Sequence, residues 1–327
     1  MGNTVEPGLS CRIRAPCKIN LHLKVGVRRS DGYHDLESIF LRLAFGDDLS
    51  FRVVRRRAGR SDCEIRVSGA APAPGGGLPE VFSPETPEGN IVHKAVSLFR
   101  AKTGYDRALG IRLRKRIPLG GGLGGGSSDG ASTLLALNAL AGTALSGEAL
   151  LEMATSLGSD VPFFLSPGPG GVAWVSGRGE GIRPLDAPRR LWVVLVNPGF
   201  SSGTPEAFAL LDRAREGEEG EKPSGPGREA LIAALGGPPR EWPYGNDFLP
   251  VFIREGTPAA KAAYKGILRD LSSLGADFSG LSGAGATCFG VFTDKGAAER
   301  GVDFLKKRWN AVQLTFPLAR SLNAVLQ

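Results

Sequence analysis

The amino-acid sequence predicts an α+β protein built from more than one folding unit, and three observations carry that expectation. Short runs of alternating apolar and polar residues, the period of half-buried strands, fill much of the first half and interleave with amphipathic helical stretches. Neighbouring strands follow one another as hairpins do, which favours α+β over repeated βαβ units. The 327 residues are enough for two ordinary domains with a sizeable core, and no period of roughly 20 to 50 residues recurs, which argues against a solenoid or propeller.

The elements can be justified in chain order. "CRIRAPCKINLHLKV" (11–25), "DDLSFRVVRRR" (47–57), "CEIRVSG" (63–69) and "LGIRLRKRI" (109–117) alternate with period two and read as strands. "GAAPAPGGGLPE" (69–80) and "SPETPEGN" (83–90) are Pro/Gly-rich connections. "NIVHKAVSLFRAKTG" (90–104) places Ile91, Ala95, Leu98 and Phe99 at helical spacing, with Gly104 as its stop. "SSDGASTLLALNALAG" (127–142) offers Ser127, Ser128 and Asp129 as N-caps before a stripe of Leu134, Leu135, Leu137 and Leu140. A shorter helix follows in "SGEALLEMATSLG" (146–158), and strands return in 171–185 and 189–199. The charged, Gly/Pro-rich stretch 212–229 reads as a mobile loop. A helix over 259–275, the segment "ADFSGLSGAGATCFGVFT" (276–293), a helix over 297–310 and a strand over 311–319 complete the pattern.

Composition narrows the class. Apolar residues make up 42% and charged residues 22%, ordinary values for a folded soluble protein. No apolar run approaches the roughly eighteen residues of a membrane span, and "MGNTVEPGLS" has neither the basic start nor the apolar core of a secretory leader. A cytoplasmic protein is expected, without myristoylation, because Glu6 stands where that motif wants Ser or Thr. Cys11, Cys17, Cys63 and Cys288 form no CxxC pair and read as reduced structural thiols, and His22, His34 and His93 complete no metal-ligand spacing. The net charge of +7 favours acidic partners, yet Arg55 to Arg57 and the arginines at 112, 114 and 116 fit solvated strand faces equally well. Charge alone leaves nucleotides, nucleic acid and neither open.

The segment "IPLGGGLGGGSSDGAS" (117–132) is the most informative, with six glycines in the seven positions from Gly120 to Gly126. A helix start carries unpaired N–H groups and partial positive charge, and glycine lets backbone approach an anion without a Cβ in the way. A phosphate site follows. It is neither of the two commonest kinds: the preceding strand alternates with arginine and is broken by Pro118, unlike a dinucleotide fold, and no GK[ST] follows.

"PLGGGLGGGSSDGA" resembles the phosphate loop of the GHMP kinases, a superfamily of small-molecule kinases. "APCKINLHL" near the start and "LSGAGATCFGVF" near the end are similar to that superfamily's first and third motifs, in the right order. "RRSDGYHDLESIF" and "SLGSDVPFFL" resemble the substrate-side and catalytic segments of one branch, whose substrate is methylerythritol carried on cytidine diphosphate. The resemblance runs from about residue 11 to about residue 290. It implies a two-lobed α+β fold with mixed and antiparallel sheets: 1–180 as the ATP-binding lobe, 181–327 as a lobe giving substrate contacts through 200–208 and 281–289, and the active site in the cleft between them.

It also implies roles. The γ-phosphate of ATP would pass to the substrate's 2-hydroxyl, as a step in isoprenoid precursor synthesis. Asp160 would serve as base and Lys18 would hold that carboxylate ionised or steady transition-state charge, although alone they read as a helix N-cap and a solvated strand lysine. Pro118, Leu119, Gly120, Gly121, Gly122, Leu123, Gly124, Gly125, Gly126, Ser127 and Ser128 would cradle the phosphates, with Asn90 and Lys115 reaching the nucleotide. Asn90 reads equally as a plain N-cap and Lys115 as part of a charged strand face. Tyr33 and Phe208 would take the two faces of the cytosine and His34 its edge, and Asn20 would bond the methylerythritol. Mg²⁺ would be held mainly through ATP phosphates; Ser128 is a candidate hydroxyl, and no metal ligand is assigned. No nucleic-acid or membrane partner is implied, and oligomeric state stays open. Cys17, Gly130 and Ala284 depart from the pattern without removing a catalytic group. The competing readings are a GHMP kinase acting on mevalonate, homoserine or a sugar, and a non-catalytic nucleotide- or RNA-binding relative.

Overall fold

The computed structural model describes residues 8–56, 62–69, 89–166, 168–186, 188, 190–216, 226–309, 311–320 and 322–327. Its first strands are longer than the alternation suggests. β1 (Ser10–Arg28) and β2 (His34–Val54) form one antiparallel hairpin, its turn closed by Asp31, whose Oδ1 accepts from the Tyr33 N–H at 3.1 Å. In β1 the alternation is interrupted. Cys11 and Ile13 are buried and Arg12 and Arg14 exposed, and further on buried Leu23 and Val25 alternate again with half-buried His22, Lys24 and Gly26, but between them every residue from Ala15 to Leu21 is buried. The reason is cover on both sides, by helix α2 (Gly125–Ala141) and by Ser282, whose Oγ accepts from the Asn20 N–H at 3.3 Å. Bulges between Pro16 and Cys17 and between Asn20 and His22 bend the strand there.

β3 (Cys63–Ser68) and β4 (Ala108–Arg114) pair in parallel, not as a hairpin, with α1 (Ile91–Thr103) between them in sequence. The front half of β2 pairs with β5 (Val172–Gly177) and its back half with β4. The seven-stranded sheet, ordered β11-β1-β2-β4-β3, also takes in β6 (Gly181–Leu185) beside β5 and β11 (Val325–Leu326) beside β1. A cut at residue 180 would therefore divide the β5–β6 hairpin. Helices α1, α2, α3 (Gly147–Leu157) and α4 (Val161–Leu165) cover this sheet over a core that includes Phe40, Phe51, Phe99, Leu134 and Phe163. The arginines at 112 and 114 face solvent, as a charged strand face should.

A second sheet, β10-β7-β9-β8, is wholly antiparallel: β7 (Trp192–Asn197), β8 (Phe278–Leu281), β9 (Cys288–Phe292) and β10 (Ala311–Thr315). Around it lie α5 (Thr204–Arg215), α6 (Arg228–Ala234), α7 (Phe248–Glu255), α8 (Pro258–Ser273) and α9 (Lys295–Leu305). The mobile loop expected over 212–229 is thus helical at both ends, and 217–225 lie outside the described residues, as do 70–88. An apolar cluster with Ile19, Leu41 and Trp174 from one sheet and Val193, Leu195 and Phe289 from the other joins the two lobes. The four cysteines are buried, and no described helix is long and apolar enough to cross a membrane.

Ser127, Ser128 and Asp129 do not cap α2. The helix begins at Gly125 behind Gly124, which adopts left-handed φ 68° and gives no side-chain cap. Asp129 instead enters a buried triad: Lys115 donates to Asp47 and, at 2.7 Å, to Asp129 Oδ2, while the other Asp47 oxygen accepts from the N–H groups of Arg116 and Ile117 at 2.5 and 2.8 Å. Lys115 is 2% exposed, so it is no solvated strand residue. Two carboxylates share one ammonium out of water. Burial is the main reason that the Asp129 carboxyl is pushed up to about 7; Lys115 opposes the shift and Asp47 adds to it.

Two outcomes follow. Lys115→Met leaves two buried carboxylates without a counter-ion and should cost about 3–5 kcal/mol in urea unfolding. Because Asp129 binds its proton more tightly folded than unfolded, its contribution to stability falls as pH rises from the ordinary carboxyl range through about 7. Urea midpoints of Asp129→Asn across that window should lack this part of the decline; an unchanged slope would refute the assignment.

Candidate active site

The chain runs from β4 into α2 through the glycine segment, and the carbonyls of Gly120 to Leu123 are each taken by a donor from elsewhere in the fold. Gly120 O accepts from Ser202 N at 3.1 Å and from Ala286 N at 3.2 Å, and Gly121 O from Thr287 N at 3.1 Å. Gly122 O accepts from Ser282 Oγ at 2.8 Å, and Leu123 O from Lys18 N at 2.9 Å. Among the described residues no hydrogen bond is donated by the N–H groups of 119–124, and those of the first α2 turn have no helical acceptor. The result is a concentration of free donors at a helix N-terminus, the chemistry that binds phosphate oxygens.

Glycine is required here for space as well as conformation. A Cβ on Gly122 (φ +72°) would stand 2.0 Å from Ser282 O, and one on Gly124 would meet Lys18 Cγ and Phe164 Cζ, both at 3.0 Å.

Lys18 lies beneath this loop on β1. Its Nζ donates to Asn20 Oδ1 at 2.7 Å, stands 3.5 Å from Asp160 Oδ2 and sits 4.4 Å from the centre of the Phe40 ring. Asn20 is oriented by its other end, where Nδ2 donates to Ser38 Oγ at 2.9 Å. Asp160 occupies the N-cap position of α4 but its side chain makes no cap bond. It faces the cleft with 30% of its side chain exposed, against 5% for Lys18. A buried cation therefore holds a reachable carboxylate, as an acid–base site needs.

A cavity of about 1040 Å³ connects these groups. Lys18, Asn20, Tyr33, His34, Lys115, Asp160, Phe208 and the whole of 117–127 line it. That volume is at the upper end for ligand sites and leaves room for a nucleotide and a second substrate. His34 stacks on Phe208, with ring centres 4.9 Å apart, and its Nε2 lies 2.7 Å from Asp212 Oδ1. Tyr33 is exposed, and the Arg178 guanidinium lies 3.7 Å from its ring centre. Two residues anticipated from the sequence stand apart from the lining. Asn90 caps α1 by accepting from Val92 N at 2.9 Å, and Ser128 is wholly buried with an unpartnered hydroxyl.

Asp212 and Arg178 escaped the sequence reading. Asp212 fell in the segment taken for a loop, and only the last turns of α5 bring it to His34. Arg178 stands between Gly177 and Gly179, a turn signal that says nothing of what the turn faces. A smaller concavity of about 430 Å³ on the open face of the first sheet is edged by Arg12, Arg52, Arg66 and Arg112 and holds no comparable acid–base pair. No group of three or more His, Cys, Asp or Glu side chains arranged to hold a metal occurs among the described residues.

Comparison with known proteins identifies the family. The model of the GHMP kinases N terminal domain matches residues 90–168, and the GHMP kinases C terminal model matches 246–311. A 4-diphosphocytidyl-2-C-methyl-D-erythritol kinase of Anaeromyxobacter dehalogenans is 41% identical over 87% of this chain and 81% of its own. One of the same name from Treponema pallidum is 37% identical over 92% of this chain and 96% of its own. A crystal structure of 4-(cytidine 5'-diphospho)-2C-methyl-D-erythritol kinase matches with a TM-score of 0.73 and 32% identity, covering 94% of this chain and 99% of that one. A homoserine kinase of Cytophaga hutchinsonii, 17% identical, shares the fold with a TM-score of 0.64, covering 99% of each chain.

The loop geometry is open to test at Gly122. Gly122→Ala forces a left-handed alanine against Ser282 O, and the loop should shift. A stability loss of about 1–3 kcal/mol should accompany a raised KM for ATP. A variant with unchanged melting temperature and ATP KM would show that the contact does not position the loop.

Proposed function

The chain belongs to the GHMP kinases, in the family of 4-diphosphocytidyl-2-C-methyl-D-erythritol kinases, and from that premise we propose how its cleft performs the transfer. It is a phosphotransferase with an alcohol acceptor. The γ-phosphate of ATP passes to the 2-hydroxyl of 4-diphosphocytidyl-2-C-methyl-D-erythritol, yielding ADP and the 2-phosphate.

The observation that carries this reading is the Lys18–Asp160 pair, 3.5 Å apart at the mouth of the uncapped α2 helix. The triphosphate lies along 118–128, its oxygens taking N–H groups that the loop does not use internally. Asp160 accepts the proton of the 2-hydroxyl as that oxygen bonds to the γ-phosphorus and the bond to the ADP oxygen breaks. Lys18 offsets charge on the transferring group. Asn20, held by Ser38, donates or accepts at the methylerythritol once that portion displaces its present contact with Lys18. Cytosine stacks beside Tyr33 and Phe208, and His34 meets its edge with a tautomer set by Asp212.

Mg²⁺ fits this donor set. Asp160 presents a carboxylate at the loop, within the cavity, whereas the Ser128 hydroxyl stands apart from the lining; the ion would neutralise phosphate charge while bound mainly to ATP. The nucleotide contacts of Asn90 and Lys115 belong to this proposal, Asn90 through its position before cavity-lining Ile91.

ADP release with a panel of alcohols tests the reading. Turnover should be confined to the cytidyl substrate, and turnover of mevalonate or homoserine in its place would overturn it. Asp160→Ala should lower kcat by about 10²–10⁴. Tyr33→Ala should raise the KM for the cytidyl substrate roughly 5- to 100-fold, the range of one lost base stack, while leaving the ATP KM nearly unchanged. Equal losses for both substrates would contradict a cytosine-side role.

A further inference from the structure

The substrate just assigned has three parts in line: a base, a diphosphate and an alcohol. The base end has aromatic groups and His34, and the alcohol end has Lys18 and Asp160. The doubly charged middle still lacks a cation, and a diphosphate leaving water needs one.

One side chain stands between the two ends. Arg178 projects from the tight turn that joins β5 to β6. Its guanidinium covers Tyr33, 3.7 Å from the ring centre, so it touches the base end. The next residue reaches the alcohol end: a Cβ on Gly179 (φ +124°) would stand 3.0 Å from Ser159 Cβ and 3.1 Å from Ser159 O, beside Asp160. The turn is closely built. Gly177 has φ +68°, Gly179 N donates to Ser176 O at 3.2 Å, and Arg178 N donates to Glu180 Oε2 at 2.7 Å.

The charge on Arg178 is also available. Among the described residues no carboxylate lies within ion-pair distance of its guanidinium, and nearby Asp31 is already paired with Arg29 at 3.0 Å. The other cavity arginines are placed differently. Arg28 Nε donates to Gly32 O at 3.4 Å, and Arg213 stands on α5 among the base-facing residues. A cation–π contact on an exposed ring is weak enough for an arriving anion to redirect the guanidinium, whose planar fork matches two phosphate oxygens.

We propose that Arg178 is the diphosphate-binding residue of the acceptor site, swinging from Tyr33 onto the diphosphate of a cytidine diphosphate ligand. This rests on the function proposed above, and it makes Arg178 a determinant of specificity for a nucleoside diphosphate over the bare nucleoside.

The test measures competition by cytidine, CMP and CDP against the alcohol substrate at saturating ATP, in the natural chain and in Arg178→Met and Arg178→Lys. In the natural chain CDP should bind about 10- to 100-fold more tightly than cytidine, the range for hydrogen bonds to charged groups. Arg178→Met should lose most of that advantage with cytidine affinity and ATP KM unchanged, and Arg178→Lys should keep part of it. The side chain is exposed, so melting temperatures should match. A CDP advantage undiminished in Arg178→Met, or cytidine and CDP weakened equally, would overturn the assignment while leaving the base site standing. Failure of cytidine and CDP alike to compete in the natural chain would instead overturn the base site, and this inference with it.

Discussion

Everything in the cleft depends on a seam of hydrogen bonds in which the carbonyls of Gly120 to Leu123 are taken from behind, three by the second lobe and the last by β1. A glycine-rich segment left to itself would lose its order to chain entropy. Here the order is supplied from outside the segment, and it is supplied through the carbonyls, so the peptide planes present their N–H groups to the cavity. The same seam fixes the lobes relative to each other, because Ser202, Ser282, Ala286 and Thr287 are its donors. Site and lobe packing are thus one structure.

Two lysines show how location sorts similar chemistry. Lys115 is enclosed with Asp47 and Asp129 and ties the end of β4 to β2 and α2. Lys18 is as deeply placed, but its carboxylate partner is partly open and its other neighbours are an amide and a ring face. A closed triad holds shape; a half-open pair can receive and release a proton. In the proposed mechanism the loop between the two takes its approach from the first and its chemistry from the second.

Much of this was legible from the residues. Strand periodicity located β1 and β4, the lysine-bearing motif pointed to Lys18 and the glycine run to the loop, and Asp160 was pointed to by the segment "SLGSDVPFFL" through its resemblance to the family's catalytic segment. What stayed hidden is what neighbours across the fold impose. Ala15 to Leu21 lost their alternation to cover from both sides. Asp129 looked like a cap, since its chain neighbours are those of a helix start, yet its partner Lys115 comes from the end of β4. Asp212 and Arg178 gave no local sign, because only the turn of α5 and the β5–β6 hairpin bring them to the cavity. Cys17, Gly130 and Ala284, the departures from the family pattern, leave the Lys18–Asp160 pair in place.

The strand β11 closes the first sheet with residues that follow the whole second lobe in sequence. Arg42, 1% exposed within β2, depends on the same late segment, donating to the carbonyls of Leu318 and Arg320. On the ribosome the N-terminal lobe thus emerges with one of the described Arg42 side-chain acceptors in place, Phe164 O at 3.5 Å, and with the Cys11–Arg12 end of β1 unpaired on one side until the late segment is released. The first lobe is consequently completed only after the second has been made.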